Sequence, residues 1–158
     1  MTDFRFIPVT PHPLLSPYVA KIWVFESGGR LPVEERKLIV PNANLKLTLT
    51  YRNGIEARVG DKAFLQRENE LTLTGMIDTP VILDPYEDAQ TGTIIIEFNP
   101  LGAYRFFHLR FTEVQNEITD LTDLIGNGAV MLREQLGDTE EIPYKVQLLQ
   151  NFLRRTRK

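Results

Sequence analysis

The chain has 158 residues, of which 42% are hydrophobic and 25% are charged. This composition is typical of a folded globular domain and excludes disorder or a coiled coil as the main state. The formal net charge is −3, whereas a domain that binds DNA by itself usually has an excess of basic residues. The charge therefore argues against an independent DNA-binding domain. Because cysteine is absent, the chain has no disulfide framework, no thiolate metal site and no cysteine nucleophile. We expect no signal peptide, no membrane span and a cytoplasmic location.

Strands dominate the first two thirds of the sequence. Short runs rich in β-branched and aromatic residues are bounded by glycine, proline or asparagine, which predicts β-strands. The run 45–50 alternates strictly, so its three leucines share one face and Lys46, Thr48 and Thr50 share the other. The predicted strands are 21–26, 37–40, 45–50, 55–59, 71–74, 80–83 and 91–98.

Two turn signals refine how these strands connect. Asn53-Gly54 favours a left-handed backbone, which predicts a tight hairpin in which 55–59 returns as the partner of 45–50. Pro80 places the strand 80–83 at a sheet edge, because proline cannot donate to the ladder of a central strand.

After Phe98 the hydrophobic period changes from two to about 3.6 residues. Asn99 followed by Pro100 predicts a capped start for a helix over 101–109. A capping-box pattern at 112–115, a helix ending near Gly137 and an amphipathic helix over 139–155 complete the series. The sequence thus predicts an α+β, mainly β chain: an antiparallel β barrel or sandwich over 1–99, then a helical annex over 100–158.

Motifs for metal or nucleophilic chemistry are absent. The two histidines, His12 and His108, are far apart in sequence, whereas zinc or non-haem iron needs three or more ligands. Neither Ser16 nor Ser27 lies in a nucleophile motif, and no phosphate-binding loop occurs. We predict no catalytic residue, no metal and no cofactor.

Three residues of the predicted barrel are candidates for a ligand site. Glu97 lies in a strongly apolar strand, where a carboxylate that points inward needs a partner. An outward-facing surface glutamate is the ordinary interpretation, and a ligand contact is the alternative. Trp23, the only tryptophan, shares a strand face with Phe25; these rings pack in a core or line a pocket.

A succession of short segments resembles the N-terminal sensor domains of AraC-type bacterial transcription regulators. In order, the segments are Pro13-Leu14-Leu15 with Tyr18-Val19 and Trp23, then 39–45, Leu73-Thr74-Gly75 with Pro80, 96–104 and 121–126. The sharpest match, Ile96-Glu97-Phe98-Asn99-Pro100-Leu101-Gly102-Ala103-Tyr104, is similar to the F-x-P-G-G-A segment of that family, with Leu101 where glycine is common.

The resemblance implies a cupin-like barrel that senses a small-molecule effector and an annex that forms a homodimer. DNA is then read by a helix-turn-helix module that is absent from these 158 residues, so we expect either a trimmed chain or a stand-alone relative. The residues expected to line the effector site are Trp23, Phe25, Leu47, Leu49, Met76 and Glu97. The residues expected at the dimer contact are Leu149, Phe152 and Leu153.

Two other functions remain open at this stage. A small cupin-like enzyme, such as an isomerase, would have to use Glu97 with Tyr51 or Tyr104 as its acid–base pair. A stand-alone interaction module would dock its last helix in a partner. The basic end of the chain, Arg154 to Lys158, complements a helix dipole or contacts an acidic partner such as nucleic acid.

Overall fold

The computed structural model describes residues 4–28, 37–39, 44–75, 81–85, 90–107 and 118–156. These described residues form ten strands and four helices. The strands are β1 (Phe4–Val9), β2 (Val19–Ser27), β3 (Lys37–Ile39), β4 (Lys46–Arg52), β5 (Ile55–Val59), β6 (Lys62–Gln66), β7 (Leu71–Thr74), β8 (Val81–Pro85), β9 (Thr91–Phe98) and β10 (Ile118–Asp120). The helices are α1 (Pro100–Phe107), α2 (Leu121–Ile125), α3 (Asn127–Gly137) and α4 (Ile142–Thr156). No helix of these described segments has the length and apolarity to cross a membrane.

The strands form two antiparallel sheets. The larger sheet has the order β1-β2-β9-β4-β7-β10, and the smaller one has the order β3-β8-β5-β6. The predicted mainly β architecture with C-terminal helices is confirmed. The elements not predicted from the sequence are β1, β6, β10 and α2, which are short or carry charged and polar residues.

The predicted hairpin at Asn53-Gly54 is wrong. Asn53 does have a left-handed backbone with φ 54°, but β5 pairs with β6 and β8 in the smaller sheet. β4 already has β9 and β7 on its two sides, so it offers no edge to β5. The backbone N–H of Asn53 donates to the Glu68 carboxylate at 2.9 Å, which helps to hold this corner between the sheets.

The predicted edge position of the strand near Pro80 is also wrong. β8 pairs with both β3 and β5, and is therefore an inner strand of the smaller sheet. Its proline, Pro85, is the last residue of the strand, where a missing N–H does not interrupt the ladder. Pro80 itself lies outside the described residues.

One face of the larger sheet packs against the helices. All eight residues of β9 are buried, so both faces of this central strand are covered. Ile94 and Ile96 of β9 belong to one continuous core with Leu47 and Leu49 of β4. The same core contains the helical side chains Leu121, Ala129, Leu132, Leu136, Val146, Leu149, Phe152 and Leu153.

The placement of α4 corrects the expected dimer contact. Leu149 is 1% exposed, Phe152 is 6% exposed and Leu153 is 0% exposed, because all three side chains pack into the core under the sheet. The amphipathic pattern of α4 thus serves the chain's own core. These three side chains are not available to a second subunit.

The start of α1 follows the predicted cap. The side-chain oxygen of Asn99 accepts a hydrogen bond from the N–H of Gly102 at 2.9 Å, and Pro100 is the first helical residue. Gly102 lies so close to the Tyr18 carbonyl that an added Cβ would be 2.2 Å from its oxygen. The last two residues of the predicted helix, 108 and 109, and the capping box at 112–115 lie outside the described residues.

Candidate functional site

The candidate site is the face of the larger sheet opposite the helices, which we call the inner face. Because side chains alternate along a strand, Trp23 and Phe25 of β2 point away from the helical core, as do Thr93, Ile95 and Glu97 of β9. These residues are buried or half-buried, and the layer that can cover this side is the smaller sheet. Buried Ile55 and Ala57 of β5 also lie outside the helical core.

Register places the inner-face residues in rows across three strands. Glu97 lies between Lys21 and Lys46, Ile95 between Trp23 and Thr48, and Thr93 between Phe25 and Thr50. The inner face is therefore charged in its first row. It becomes aromatic on the β2 side and hydroxylic on the β4 side in the next two rows.

The charged row is a buried ion pair. The Glu97 carboxylate lies 3.7 Å from Nζ of Lys46, and the two side chains are 9% and 6% exposed. The side-chain amide of Asn44 donates to the other carboxylate oxygen at 3.0 Å, and the backbone carbonyl of Asn44 accepts from Nζ of Lys46 at 3.4 Å. Burial lowers the pKa of Lys46, while Glu97 opposes that shift. The expectation that Glu97 is an outward-facing surface residue is wrong.

Three rings form a wall on the β1–β2 side. The centroid of Phe6 lies 4.8 Å from that of Phe25 and 6.3 Å from that of Trp23. Nζ of Lys21 lies 5.9 Å from the Trp23 ring centroid, at the charged end of the wall. Such a wall offers an apolar surface to the flat part of a ligand.

Hydroxyl groups line the rest of the inner face. The Thr50 and Thr93 hydroxyls are 3.4 Å apart, and Thr72 donates to the side-chain oxygen of Gln66 at 3.1 Å. Within the described segments, two buried polar atoms of this face have no hydrogen-bond partner: Nε1 of Trp23 and Oγ1 of Thr91. A buried donor without a partner is costly, and a ligand or a bound water can remove that cost.

The structure separates the residues that were expected to line the effector site. Trp23, Phe25 and Glu97 lie together on the inner face. Leu47 and Leu49 lie on the opposite face, in the helical core, so they do not share a site with Trp23. Met76 lies outside the described residues.

The acid–base pair considered for an enzyme does not form. Tyr51 packs against the helical core, on the other face of the sheet from Glu97, and Tyr104 is 60% exposed on α1.

The described residues contain no group of three or more His, Asp or Glu side chains that could hold a metal ion. The Nδ1 atom of His12 accepts a hydrogen bond from the N–H of Leu14 at 3.1 Å, and His108 lies outside the described residues.

Sequence reasoning missed Asn44, Lys46 and Phe6 as inner-face residues. The strict alternation of β4 already placed Lys46 on one face with Thr48 and Thr50, but lysine is rarely buried, so the alternation alone does not predict an inner-face position. The signal that could have found the ion pair is the register of Lys46 with Glu97 across β4 and β9. That register depends on a pairing between strands about fifty residues apart.

Residues 8–120 match the family model described as "Domain of unknown function (DUF6597)". The chain belongs to this family. The match covers all of β2, β4, β7 and β9, includes only the last two residues of β1 and ends at the last residue of β10. No curated protein matches the sequence.

Solved structures similar to the chain include cupin domains. The cupin domain of an XRE family transcriptional regulator from Enterobacter cloacae has a TM-score of 0.50 and 7% identity, over 61% of this chain and 97% of that chain. The Cnp3 cupin domain of Schizosaccharomyces pombe has a TM-score of 0.49 and 12% identity, over 65% of this chain and 66% of that chain. The match thus spans just under two thirds of the yeast domain's length. At these identities the likeness concerns the fold, and the expected cupin-like fold is confirmed.

Proposed function

We propose that the chain is the effector-sensing and dimerisation domain of an AraC-type transcription regulator, with the effector bound between the two sheets against the inner face. The observation that carries this proposal is the polar character of a buried surface. A purely structural sandwich core would be apolar, whereas this one contains an ion pair and two polar atoms without partners in the described residues.

The lining favours a small ligand that combines a flat apolar part with several hydrogen-bonding groups. The flat part would pack on the wall of Phe6, Trp23 and Phe25. Its polar groups would meet Nε1 of Trp23 and the hydroxyl of Thr91. A ligand of this kind gains hydrogen bonds that the unliganded domain lacks.

A signal from the inner face has a short path to the helices. Ile95 and Glu97 face the proposed ligand, and their chain neighbours Ile94 and Ile96 pack in the helical core. A ligand that favours one position of β9 would shift the population of helix positions, and thereby the presentation of an attached DNA-reading module. The cupin domain from Enterobacter cloacae, which is part of a transcriptional regulator, supports this assignment by its fold.

The only tryptophan of the chain makes the proposal testable. Trp23 lies on the inner face, so a ligand bound there is expected to change its fluorescence emission. We would titrate a broad panel of metabolites and follow emission together with the melting temperature. A true effector raises the melting temperature, and above the Kd the increase follows the logarithm of its concentration.

Matched variants locate the binding site. Thr91→Val removes an inner-face hydroxyl and is expected to weaken binding about tenfold, whereas Thr122→Val, on α2, is expected to leave affinity unchanged. Equal affinity in the two variants, or no binding from the whole panel, would argue against a sensing function for the inner face.

Dimerisation, the other part of the proposal, would use annex residues that stay exposed in one subunit. Leu124 and Ile125 of α2 are each 37% exposed, and Val130 and Met131 of α3 are 38% and 60% exposed. Met131→Glu is expected to convert a dimer to a monomer in sedimentation experiments, while Glu134→Gln on the same helix is not. A wild-type chain that sediments as a monomer at 100 μM, a concentration of the order used for weak dimers, would contradict this part.

A further inference from the structure

A polar cleft that is separate from the inner face lies at the junction between the barrel and the annex, on the helical side of the larger sheet. The end of β4, the β6–β7 turn and the α3–α4 connection form its walls, and its volume is about 570 Å³. This volume is within the range of small-molecule sites. Its lining residues are Tyr51, Arg52, Glu68, Asn69, Gly137, Thr139, Glu140 and Lys145.

Asn69 fixes the two walls of this cleft relative to each other. Its side-chain amide donates to the Arg133 carbonyl at 3.3 Å, and its own carbonyl accepts from Nε of Arg133 at 3.1 Å. Asn69 has a left-handed backbone with φ 67°, and its N–H donates to the Thr50 carbonyl at 2.6 Å. The cleft is therefore formed before any ligand arrives, which lowers the entropy lost on binding.

Lys145 is an incompletely paired cation in this cleft. The residue is 6% exposed, and Nζ donates to the Leu136 carbonyl at 2.6 Å. An ammonium group has three donors, and within the described part of the chain no carboxylate forms an ion pair with this one. A buried ammonium group with unused donors is unfavourable, so the site favours an arriving anionic group that supplies acceptors.

The other charged residues of the cleft indicate which charged groups a ligand needs in addition to an anionic group. Arg52 adds a second cation to the lining, and its guanidinium carbon lies 5.9 Å from the Tyr51 ring centroid. Glu68 and Glu140 add two carboxylates. Burial lowers the pKa of Lys145, while Glu68 and Glu140 oppose that shift, which is consistent with both carboxylates being near the amine.

From the charge arrangement in this cleft, we propose that it binds a small zwitterion of the amino-acid class. The ligand's carboxylate pairs with Lys145 and Arg52, and its ammonium group pairs with Glu68 and Glu140. Because β4 and the β6–β7 turn belong to the barrel, and α3–α4 to the annex, the bound zwitterion contacts both parts. It stabilises one arrangement of the annex on the barrel, independently of an effector on the inner face.

Isothermal titration with the twenty L-amino acids tests the proposal on the full chain. We expect at least one to bind with a Kd in the micromolar to low millimolar range. Its N-acetyl and carboxamide derivatives, which each lack one charge, are expected to bind about tenfold more weakly or worse. Absence of binding by all twenty overturns the proposal, as does equal affinity of an N-acetyl derivative.

Variants place the amino acid in this cleft. Lys145→Met removes the cation but keeps the length of the side chain, and is expected to weaken binding at least tenfold. Lys62→Met, at an exposed lysine of β6, is the matched control and is expected to bind as wild type. Arg52→Met, at an exposed side chain, gives the same test if Lys145→Met does not fold. Binding that survives both cleft variants, or that is lost in Thr91→Val, would place the ligand elsewhere and overturn the proposal.

Discussion

Glu97 and Lys46 form an ion pair across β9 and β4, with 3.7 Å between the carboxylate and Nζ and with both side chains almost fully buried. Both residues lie on the face of the sheet that turns away from the helices. A pair in this position is a weak source of net stability, because desolvation of the two charges offsets most of their attraction. Loss of one partner is expected to lower stability strongly, because the other charge then stays buried without its counter-charge.

We therefore expect Glu97→Gln to lower the free energy of unfolding by about 3 kcal/mol at pH 7. The substitution keeps the shape of the side chain and leaves the Lys46 ammonium without its counter-charge. In the double variant Lys46→Met/Glu97→Gln the uncompensated charge is gone, so at least half of that loss is expected to return. Urea unfolding of the single and double variants measures both values, and additive losses would contradict the coupling.

The pH dependence of stability should show the environment of Tyr51. Burial, with a contribution from the nearby Glu26 carboxylate, raises the pKa of Tyr51 from 10.0 to about 12. Between these two values the folded state keeps a proton that the unfolded state releases, so the contribution of this residue is complete below pH 10 and falls as pH rises toward 12. Compared with Tyr51→Phe, the wild type is expected to lose about 1–2 kcal/mol more over this range. If the free energy of unfolding falls by the same amount with pH in both proteins, the phenol is not buried.

Two glycines provide a matched test of close packing at the helices. Gly102→Ala would place a Cβ 2.2 Å from the Tyr18 carbonyl oxygen, a backbone atom that cannot rotate away. We expect a loss of about 2–3 kcal/mol, measured by thermal or urea unfolding. At Gly128 of α3 the nearest atom is 4.0 Å from an added Cβ, so Gly128→Ala is expected to be neutral or to stabilise by about 0.5–1 kcal/mol.

Because α4 packs into the core rather than forming an interface, we expect effects of very different size on stability at a buried residue of α4 and an exposed residue of α3. Leu149→Ala removes a side chain that is 1% exposed, and is expected to cost about 3 kcal/mol of stability in the monomer. Met131→Ala removes a side chain that is 60% exposed, and is expected to change stability by less than about 0.5 kcal/mol. A small effect of Leu149→Ala combined with weaker self-association would restore the original expectation for α4.

Local patterns predicted most elements of the fold, and they failed where long-range pairing decides. The alternation of β4, the Asn99-Pro100 cap and the 3.6-residue period of α4 are local properties, and the structure contains all three. The partner of β5 depends on which strands already flank β4, and no local pattern records that. The same limit applies to the site: a lysine at 46 acquires a counter-ion only when β9 aligns with β4.

The burial of every residue of β9 carries a consequence for how this sequence can change. Alternate side chains of one strand belong to two different cores, so this strand offers no position at which a substitution is silent. A change that adapts the inner face to another ligand, for example at Ile95, shifts the backbone that holds Ile94 and Ile96 against the helices. On the proposed function, ligand specificity can therefore diversify more freely at Phe6 of the edge strand β1, whose neighbours Arg5 and Ile7 are exposed, than along the central strand.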